Sequence, residues 1–244
     1  MSRTVDVVLT ADTVVAARLA GAAALVIDVL RASTTMITAL GNGATEVIPV
    51  VTVEEAHARR RSLGGTTLLA GERGGDPPEG FDLGNSPLEF TRERVAGRAV
   101  VMTTSNGTKA LVAARPATRT AVAAFINASA AVAWAQARGT SVVLICSGEV
   151  GTTSLEDQAC AGLLAQRLAE ADPELVLTPL AEEARRVGAA YAKELHRLAQ
   201  DAPHARKLIA NGRAADVTAC LTLDTSTMVP ELVPGVDKLV SGLR

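Results

Sequence analysis

An acid and a base stand at the end of a short apolar run in LVIDVLRASTT. Asp28 closes the run, Arg31 follows three positions later, and Ser33 and Thr34 come next. A carboxylate is a hard oxygen ligand suited to Mg²⁺, and a guanidinium can donate two parallel hydrogen bonds to a phosphate or carboxylate. The spacing predicts a metal carboxylate and an anion clamp that face one phosphate. A salt bridge between the two, sealing the end of a strand, explains the spacing equally well.

Two further segments pass from an apolar run through small polar residues into a helical pattern. VVMTTSNGTKAL carries Asn106 and Thr108, and VLICSGEVGTTSLEDQ carries Glu156 and Asp157. Each has a simpler explanation, because an Asn-Gly pair is typical of a turn and Ser154 with Asp157 matches the capping box of a helix start. From the pattern alone, capping is the more economical role for Asp157, and metal binding stays open.

A long connection, GERGGDPPEGFDLGNSPLEFT at residues 71–91, lies between two predicted strands. Loops of about twenty residues are usually functional or disordered. Phe81, Leu83 and Leu88 favour a loop that packs down onto the protein and presents its polar side chains, among them Glu72 and Asn85. We expect it to close over a ligand as a lid.

Apolar runs that alternate with helical patterns must position these residues. The predicted strands are 23–29, 46–51, 67–70, 99–103, 119–123 and 141–146, and the predicted helices are 33–40, 53–63, 128–138, 155–169 and one long helix over 180–199. Strands and helices in this order predict an α/β fold, a three-layer α/β/α arrangement with a largely parallel or mixed sheet. In a parallel sheet the three polar loops share one edge, where helix N-termini favour an anion.

Composition limits the class of protein. The 244 residues are 48% hydrophobic and 20% charged, which suits one domain over residues 1–244 or two intimate α/β lobes. A net charge of −2 and 2% aromatic residues argue against nucleic acid as a partner. Three widely spaced cysteines, no signal peptide at the N-terminus and no apolar run of 18 residues predict a cytoplasmic protein without a membrane partner.

Several familiar motifs are missing from the sequence. There is no G-x-G-x-x-G after a strand, no G-x-x-x-x-G-K-[ST] and no G-x-S-x-G. A cysteine phosphatase loop at Cys146 would need arginine where Thr152 stands, and a haloacid-dehalogenase motif would need aspartate where Leu30 stands. Cys146 is therefore interpreted as a buried small residue. Of the three histidines, only His204, after a proline, is hard to assign to a solvated helix face.

The motifs DVLRASTT, GERGG with GFDLGNSP, TTSNGTKAL, CSGEVGTTSLEDQACAG and PHARKL with DVTAC occur here in this order. Together they resemble the 2-phosphosulfolactate phosphatase family, called ComB-like, from about residue 23 to about residue 230. The resemblance implies an α/β, Mg²⁺-dependent phosphatase of coenzyme M biosynthesis that hydrolyses a small phosphorylated organic acid. It leaves the physiological substrate open, and a non-catalytic module that binds a phosphorylated metabolite is the alternative.

The resemblance and the residues together give an expected site. The catalytic residues are Asp28, Arg31 and Asp157; the substrate-binding residues are Ser33, Thr34, Arg73, Asn85, Asn106 and Thr108; and the Mg²⁺ ligands are Asp28, Glu72, Glu156 and Asp157. Arg73 is expected to meet the acidic groups of the substrate away from the phosphate. A metal-activated water is the preferred nucleophile, with attack by Asp28 as the alternative. The oligomeric state stays open, a homodimer being one alternative.

Overall fold

Short apolar strands form the centre of this computed structural model, which describes residues 2–149 and 151–242. Most of them are buried on both faces, as expected of strands covered by helices. In chain order the strands are β1 (Thr4–Val8), β2 (Ala23–Ile27), β3 (Glu46–Pro49), β4 (Leu68–Gly71), β5 (Ala99–Thr103), β6 (Arg119–Ala123), β7 (Val142–Cys146), β8 (Val176–Leu177), β9 (Pro230–Val233) and β10 (Lys238–Ser241).

Helices connect the strands. They are α1 (Ala16–Leu19), α2 (Ala32–Gly41), α3 (Val53–Leu63), α4 (Arg92–Val95), α5 (Gly107–Ala113), α6 (Ala128–Gln136), α7 (Leu155–Ala171), α8 (Pro179–Tyr191), α9 (Leu198–Asp201), α10 (Pro203–Ala210) and α11 (Ala214–Cys220). Side chains of Thr52, Ser154 and Thr178 accept a hydrogen bond from a first-turn N–H and so cap α3, α7 and α8. None of the described helices is long and apolar enough to cross a membrane.

All ten strands belong to one sheet, in the order β4-β5-β3-β10-β9-β6-β2-β7-β1-β8. Pairing is parallel within β4-β5-β3 and within β6-β2-β7-β1-β8. The strands β10 and β9 join these two blocks through three successive antiparallel pairings. The two parallel blocks therefore run in opposite directions within a mixed, mostly parallel sheet.

Loops from the two opposed blocks meet at one place. Five steps separate β5 from β2 in the strand order. The start of α5, after β5, nevertheless lies against Asp28 at the end of β2. The three polar loops meet as predicted, but the reason is different: β2 and β7 are parallel neighbours, whereas β5 arrives from the other block.

The core has layers on both faces of the sheet. One cluster packs α6 to α11 on the block that contains β1, β2, β6 and β7, and a second packs α2 and α5 between the two blocks. A smaller cluster, Ile48, Val50, Ala56, Leu69 and Val101, seats α3 on the outer face of β3, β4 and β5. The α/β fold class with helices on both faces is therefore confirmed.

The predicted elements up to residue 171 are present, several with shifted ends. The single helix predicted over 180–199 is wrong, because α8 ends at Tyr191 and α9 begins only at Leu198. The break lets Leu198 turn into the core, and Tyr191 Oη donates to Asp201 Oδ2 at 3.0 Å across it. The helix expected after the TTSN segment is α5, whereas strands β1, β8, β9 and β10 and helices α1, α4, α10 and α11 were not predicted.

The 71–91 loop packs onto the protein, as expected. Leu83 and Phe90 are buried, and Asp82 accepts a hydrogen bond from Leu69 N–H at 2.8 Å. Leu88, expected to help anchor the loop, is 53% exposed because it lies in a short 3₁₀ turn on the surface. Its neighbours Asn85 and Ser86 are buried instead and face the interior.

Candidate active site

A cleft of about 100 Å³ lies where the loops after β2, β4, β5 and β7 meet. It is lined by Asp28, Leu30, Arg31, Glu72, Gly74, Gly75, Asn85, Thr104, Ser105, Asn106, Glu149, His204, Lys207, Leu208 and Asn211. A smaller, deeper pocket of about 10 Å³ adjoins it and adds Ser147, Gly148, Ser154, Glu156 and Asp157. Because Asp28, Leu30, Asn106, Glu149 and His204 line both, we treat the two as one site.

Asp28 lies at the floor of this site. Its Oδ1 accepts a hydrogen bond from Ala32 N–H at 3.1 Å, at the first turn of α2. On the other side, a Cβ placed on Gly107 would lie 2.7 Å from Asp28 Oδ2, so only glycine lets α5 approach so closely. The carboxylate is thus held between the starts of two helices.

Asp157 connects the loops after β2 and β7. Its Oδ1 accepts from Val29 N–H at 2.8 Å, and its Oδ2 accepts from Ser147 Oγ at 3.0 Å and Gly148 N–H at 3.3 Å. Its own N–H donates to Ser154 Oγ at 3.2 Å, which is the predicted helix cap. Both carboxylate oxygens therefore already have protein partners.

Glu156 differs from its neighbour. It is 2% exposed, and its Oε2 is buried without a hydrogen-bond partner. A buried carboxylate oxygen that makes no hydrogen bond is costly, so such an atom commonly marks the place of a ligand, ion or water. Glu156 thus has an oxygen available for a ligand.

Burial dominates the electrostatics of these three acids. Burial raises the pKa of Asp28, of Glu156 and, by more, of Asp157. The charges of Asp28 and Glu156 raise the pKa of Asp157 further, and Asp28 does the same to Glu156. Buried carboxylates whose ionised forms are disfavoured in this way would be stabilised by a cation placed beside them.

Arg31 is buried and pairs with Asp216 rather than with Asp28. Its Nη1 lies 2.5 Å from Asp216 Oδ2, and its Nη2 donates to Gly75 O at 3.3 Å. Asp216 Oδ1 accepts in turn from Ser86 Oγ at 2.5 Å. The guanidinium lines the cleft while it is held from behind.

The 71–91 loop contributes two of the predicted residues. Glu72 accepts from Ser105 N–H at 2.7 Å and from Gly75 N–H at 2.9 Å, so it fastens the loops after β4 and β5 to each other. Asn85 is buried, lines the cleft, and leaves its Oδ1 without a partner. Asn85 Oδ1 is therefore available to accept a hydrogen bond from a ligand, whereas both Glu72 carboxylate oxygens already accept hydrogen bonds from backbone N–H groups.

Four predicted substrate-binding residues do not line the cleft. Ser33 accepts from Asp28 N–H, Thr34 donates to Val29 O, and Thr108 donates to Thr104 O, so all three support the backbone of the site. Arg73 points away and donates to Glu72 O, Val51 O and Thr103 Oγ1. Short hydroxyl side chains at helix starts satisfy local backbone groups first, which sequence spacing does not reveal.

His204 lines the cleft and was not among the site residues predicted from the sequence. Its Nδ1 lies 3.0 Å from Glu149 Oε1 and its Nε2 lies 3.1 Å from Leu30 O. Both partners can accept a hydrogen bond, so either ring nitrogen can donate, and the ring donates at both when each nitrogen carries a proton. Lys207, one turn along α10, lies 3.9 Å from the same carboxylate. The segment PHARKL was the available signal for both residues.

Asp28 and Glu156 fit a divalent cation. Across residues 2–149 and 151–242, no three His, Cys, Asp or Glu side chains converge into a ready-made metal cage. Mg²⁺ does not need one, because it commonly binds through one or two carboxylates together with water and substrate phosphate. The unpartnered Glu156 Oε2 and the Asp28 carboxylate lining the same pocket provide such a pair.

Comparisons with known proteins agree with the motifs. The family description 2-phosphosulpholactate phosphatase matches residues 8–235. A probable 2-phosphosulfolactate phosphatase of Thermotoga petrophila is 41% identical over 213 residues, 87% of this chain and 90% of the relative. A relative of the same description from Clostridium perfringens is 38% identical over 244 residues, 98% of each chain. A third, from Symbiobacterium thermophilum, is 38% identical over 90% of this chain and 95% of the relative.

Proposed function

The chain belongs to the 2-phosphosulfolactate phosphatase family of phosphoric monoester hydrolases, and we propose that it hydrolyses 2-phosphosulfolactate or a closely similar phosphorylated hydroxy acid in a Mg²⁺-dependent reaction. The products are the hydroxy acid and inorganic phosphate. The observation that carries the metal dependence is the buried, unpartnered Oε2 of Glu156 beside Asp28.

The balance of charge supports a cation. Five carboxylates line the site: Asp28, Glu72, Glu149, Glu156 and Asp157. The basic side chains there are Arg31, His204 and Lys207. A substrate that carries a phosphate, a sulfonate and a carboxylate is repelled by such a surface unless added positive charge neutralises the acids. Bound Mg²⁺ would provide that charge.

Asp28 and Glu156 would hold the ion, and Asp157 would keep the loops beneath them in place. When bound, Mg²⁺ supplies charge neutralisation at the phosphoryl oxygens, which is the main requirement of phosphoryl transfer. The contacts of Asp28 with Ala32 N–H and with Gly107 restrain its carboxylate. A restrained carboxylate suits the orientation of a water molecule better than covalent attack on phosphorus, so we assign the nucleophile to water.

Different basic residues of the cleft would bind the different anionic groups of the substrate. Arg31 presents guanidinium N–H groups to the cleft and can bind the phosphate with two parallel hydrogen bonds. His204 and Lys207 line the same cleft from α10, where they can neutralise the sulfonate or the carboxylate. Asn85 Oδ1 can accept from a donor of the ligand or from a water molecule.

A substrate panel tests the proposal. Purified protein is incubated with 2-phosphosulfolactate, 2-phospholactate and 3-phosphoglycerate, with Mg²⁺ or with EDTA, and released phosphate is measured. We expect turnover of the first two that EDTA abolishes and excess Mg²⁺ restores, and inversion at a chiral phosphorus. Saturable binding of these compounds without turnover would favour a non-catalytic binding module, and retention would restore Asp28 as the nucleophile.

A further inference from the structure

Asp216 connects two parts of the site, Arg31 and the 71–91 loop, although no hydrogen bond links it to Asp28, Glu156 or Asp157. It lies on α11 and is 5% exposed. Its Oδ2 accepts from Arg31 Nη1 and its Oδ1 accepts from Ser86 Oγ, both at 2.5 Å. One carboxylate thus fixes both the cleft arginine and the end of the 71–91 loop.

Arg31 depends on this partner. Its side chain is 2% exposed, and a buried guanidinium is stable only when it is paired and hydrogen-bonded. Asp216 supplies the charge, and Gly75 O supplies a second acceptor at 3.3 Å. These contacts use only part of the guanidinium, so other N–H groups remain for a ligand in the cleft that Arg31 lines.

The 71–91 loop also contacts the Arg31–Asp216 ion pair. Gly75 and Ser86 lie in opposite halves of the 71–91 loop; Gly75 O accepts from Arg31, and Ser86 Oγ donates to Asp216. A third tie joins Asp76 Oδ1 to Arg213 Nη2 at the start of α11, at 2.5 Å. The seating of the loop and the orientation of the arginine are therefore set by one network.

We propose that Asp216 is a positioning residue, which holds Arg31 ready for the substrate phosphate and, through Ser86, makes that orientation depend on the seated 71–91 loop. The inference rests on the proposed phosphatase function and extends it. Asp216 does not touch substrate. It fixes the guanidinium before the substrate binds. Substrate binding energy is then not used to order the arginine side chain.

A double-mutant cycle separates positioning from a purely structural ion pair. Asp216→Asn keeps the shape and, with its oxygen toward Ser86, the acceptor for that hydroxyl, but it removes the charge and turns an NH₂ group toward Arg31. Arg31→Lys removes the forked guanidinium. We expect each single variant to lower kcat/KM by roughly tenfold or more, and the double variant to be within about threefold of Arg31→Lys, because the two changes remove one function. The proposal would be overturned if the loss of kcat/KM in the double variant equalled the product of the two single losses. A lower Tm with unchanged kinetics in Asp216→Asn would also overturn it.

Two further variants cover the case in which Asp216→Asn folds poorly. Ser86→Ala leaves the ion pair intact, and we expect a KM raised several-fold with kcat less affected and faster amide exchange in residues 72–86. Thr218→Ala, on the exposed side of α11, is the matched control and should leave kinetics unchanged. Unchanged KM and exchange in Ser86→Ala would show that the loop is not coupled to Arg31.

Failure of the proposed function can be told apart from failure of this inference. If the wild-type protein hydrolyses nothing in the substrate panel, the phosphatase assignment fails, and binding of inorganic phosphate by calorimetry becomes the readout. Asp216→Asn should then weaken phosphate binding as much as Arg31→Lys does. Equal binding by wild type and Asp216→Asn, or no phosphate binding by the wild type, would overturn the positioning role.

Discussion

The Val29 backbone N–H donates to Asp157 Oδ1 at 2.8 Å, which joins the end of β2 to the start of α7 across 128 positions of sequence. The other oxygen of the same carboxylate accepts from Ser147 Oγ and Gly148 N–H. Asp157 therefore links the loops after β2 and β7 by hydrogen bonds, and it is also one of the buried acids of the site. Substitutions at Asp157 and at its cap partner Ser154 should differ in a predictable way.

Asp157→Asn should cost more stability than Ser154→Ala. The amide can still accept from Val29, but its NH₂ group then faces the Gly148 N–H, which leaves a buried donor unsatisfied at a cost of about 1–3 kcal/mol. Loss of the Ser154 cap should cost about 1 kcal/mol. Urea unfolding of both variants without metal measures the difference. A stable Asp157→Asn protein with a much higher Mg²⁺ requirement would instead make Asp157 a direct ligand.

Glu156→Gln should stabilise the metal-free protein at neutral pH. Burial raises the pKa of Glu156, so as pH rises the unfolded state releases this proton first and the wild type loses stability until the folded-state pKa is passed. Below the ordinary carboxyl pKa both forms are neutral and the variant has no advantage. We therefore expect the Tm of Glu156→Gln to exceed that of the wild type by an amount that grows from pH 4 to pH 8, measured in EDTA.

Addition of Mg²⁺ is the control for that experiment. The ion should raise the Tm of the wild type more at pH 8 than at pH 4, since a protonated carboxyl is a poor ligand. Glu156→Gln should lose most of this gain. A gap in Tm that stays constant with pH, or an equal Mg²⁺ effect on both proteins, would contradict the assignment of Glu156 as the acid that awaits a cation.

Gly107→Ala should damage activity more than stability. The added Cβ would lie 2.6 Å from Ala32 Cβ and 2.7 Å from Asp28 Oδ2, so α5 must shift away from Asp28 or displace its carboxylate. We expect kcat/KM to fall by roughly tenfold or more. Gly65→Ala is the control, because a Cβ there meets nothing within 4 Å. Kinetics that match the wild type in Gly107→Ala would show that the carboxylate position is not critical.

The three cysteines should be unreactive in the folded protein. Cys146, Cys160 and Cys220 are buried and free, and burial raises the pKa of Cys220 to about 12. Only the thiolate reacts with a disulfide reagent, so at pH 8 both access and ionisation are lacking. Titration with such a reagent should find no thiol before unfolding and all three in denaturant. Rapid native reaction would mean that the core opens locally.

Local sequence patterns predicted the central helices and strands better than they predicted the contacts of the site. The strand at 119–123 and the helix at 53–63 were predicted with their observed ends, because apolar periodicity and caps are local signals. β9 and β10 were missed, since they are short and pair with strands far away in sequence. Their antiparallel pairing reverses half of the sheet, which no local pattern could indicate.

The candidate site shows the same division between local and distant information. Asp28, Arg31 and Glu156 stand at strand ends or helix starts, and their residue types alone marked them. The partners that define what each does, Asp216 for Arg31 and Glu149 for His204, come from distant parts of the chain. Arg73 does not line the cleft for the converse reason, because its guanidinium donates to the nearby carbonyl groups of Glu72 and Val51.

His204→Gln provides a test of the cationic side of the cleft. The His204 ring nitrogens lie 3.0 Å from Glu149 Oε1 and 3.1 Å from Leu30 O, and the ring lines the same cleft as Arg31. Glutamine can keep a donor for one of these acceptors but cannot take up a proton to carry positive charge, so the acid-rich site becomes more repulsive to an anionic substrate. We expect KM to rise by roughly tenfold, with a smaller change in kcat and little change in Tm.

The partner variant Glu149→Gln distinguishes charge from geometry. It removes one negative charge from the cleft and leaves His204 an acceptor at Glu149 Oε1, so electrostatic repulsion of the substrate should decrease and KM should stay equal or fall. If the role of His204 were only to orient the loop that carries Glu149, both variants would raise KM alike, since both disturb the same hydrogen bond. Opposite shifts in KM, measured at low ionic strength where unscreened charges act at longest range, therefore assign to His204 the neutralisation of the substrate's acidic groups.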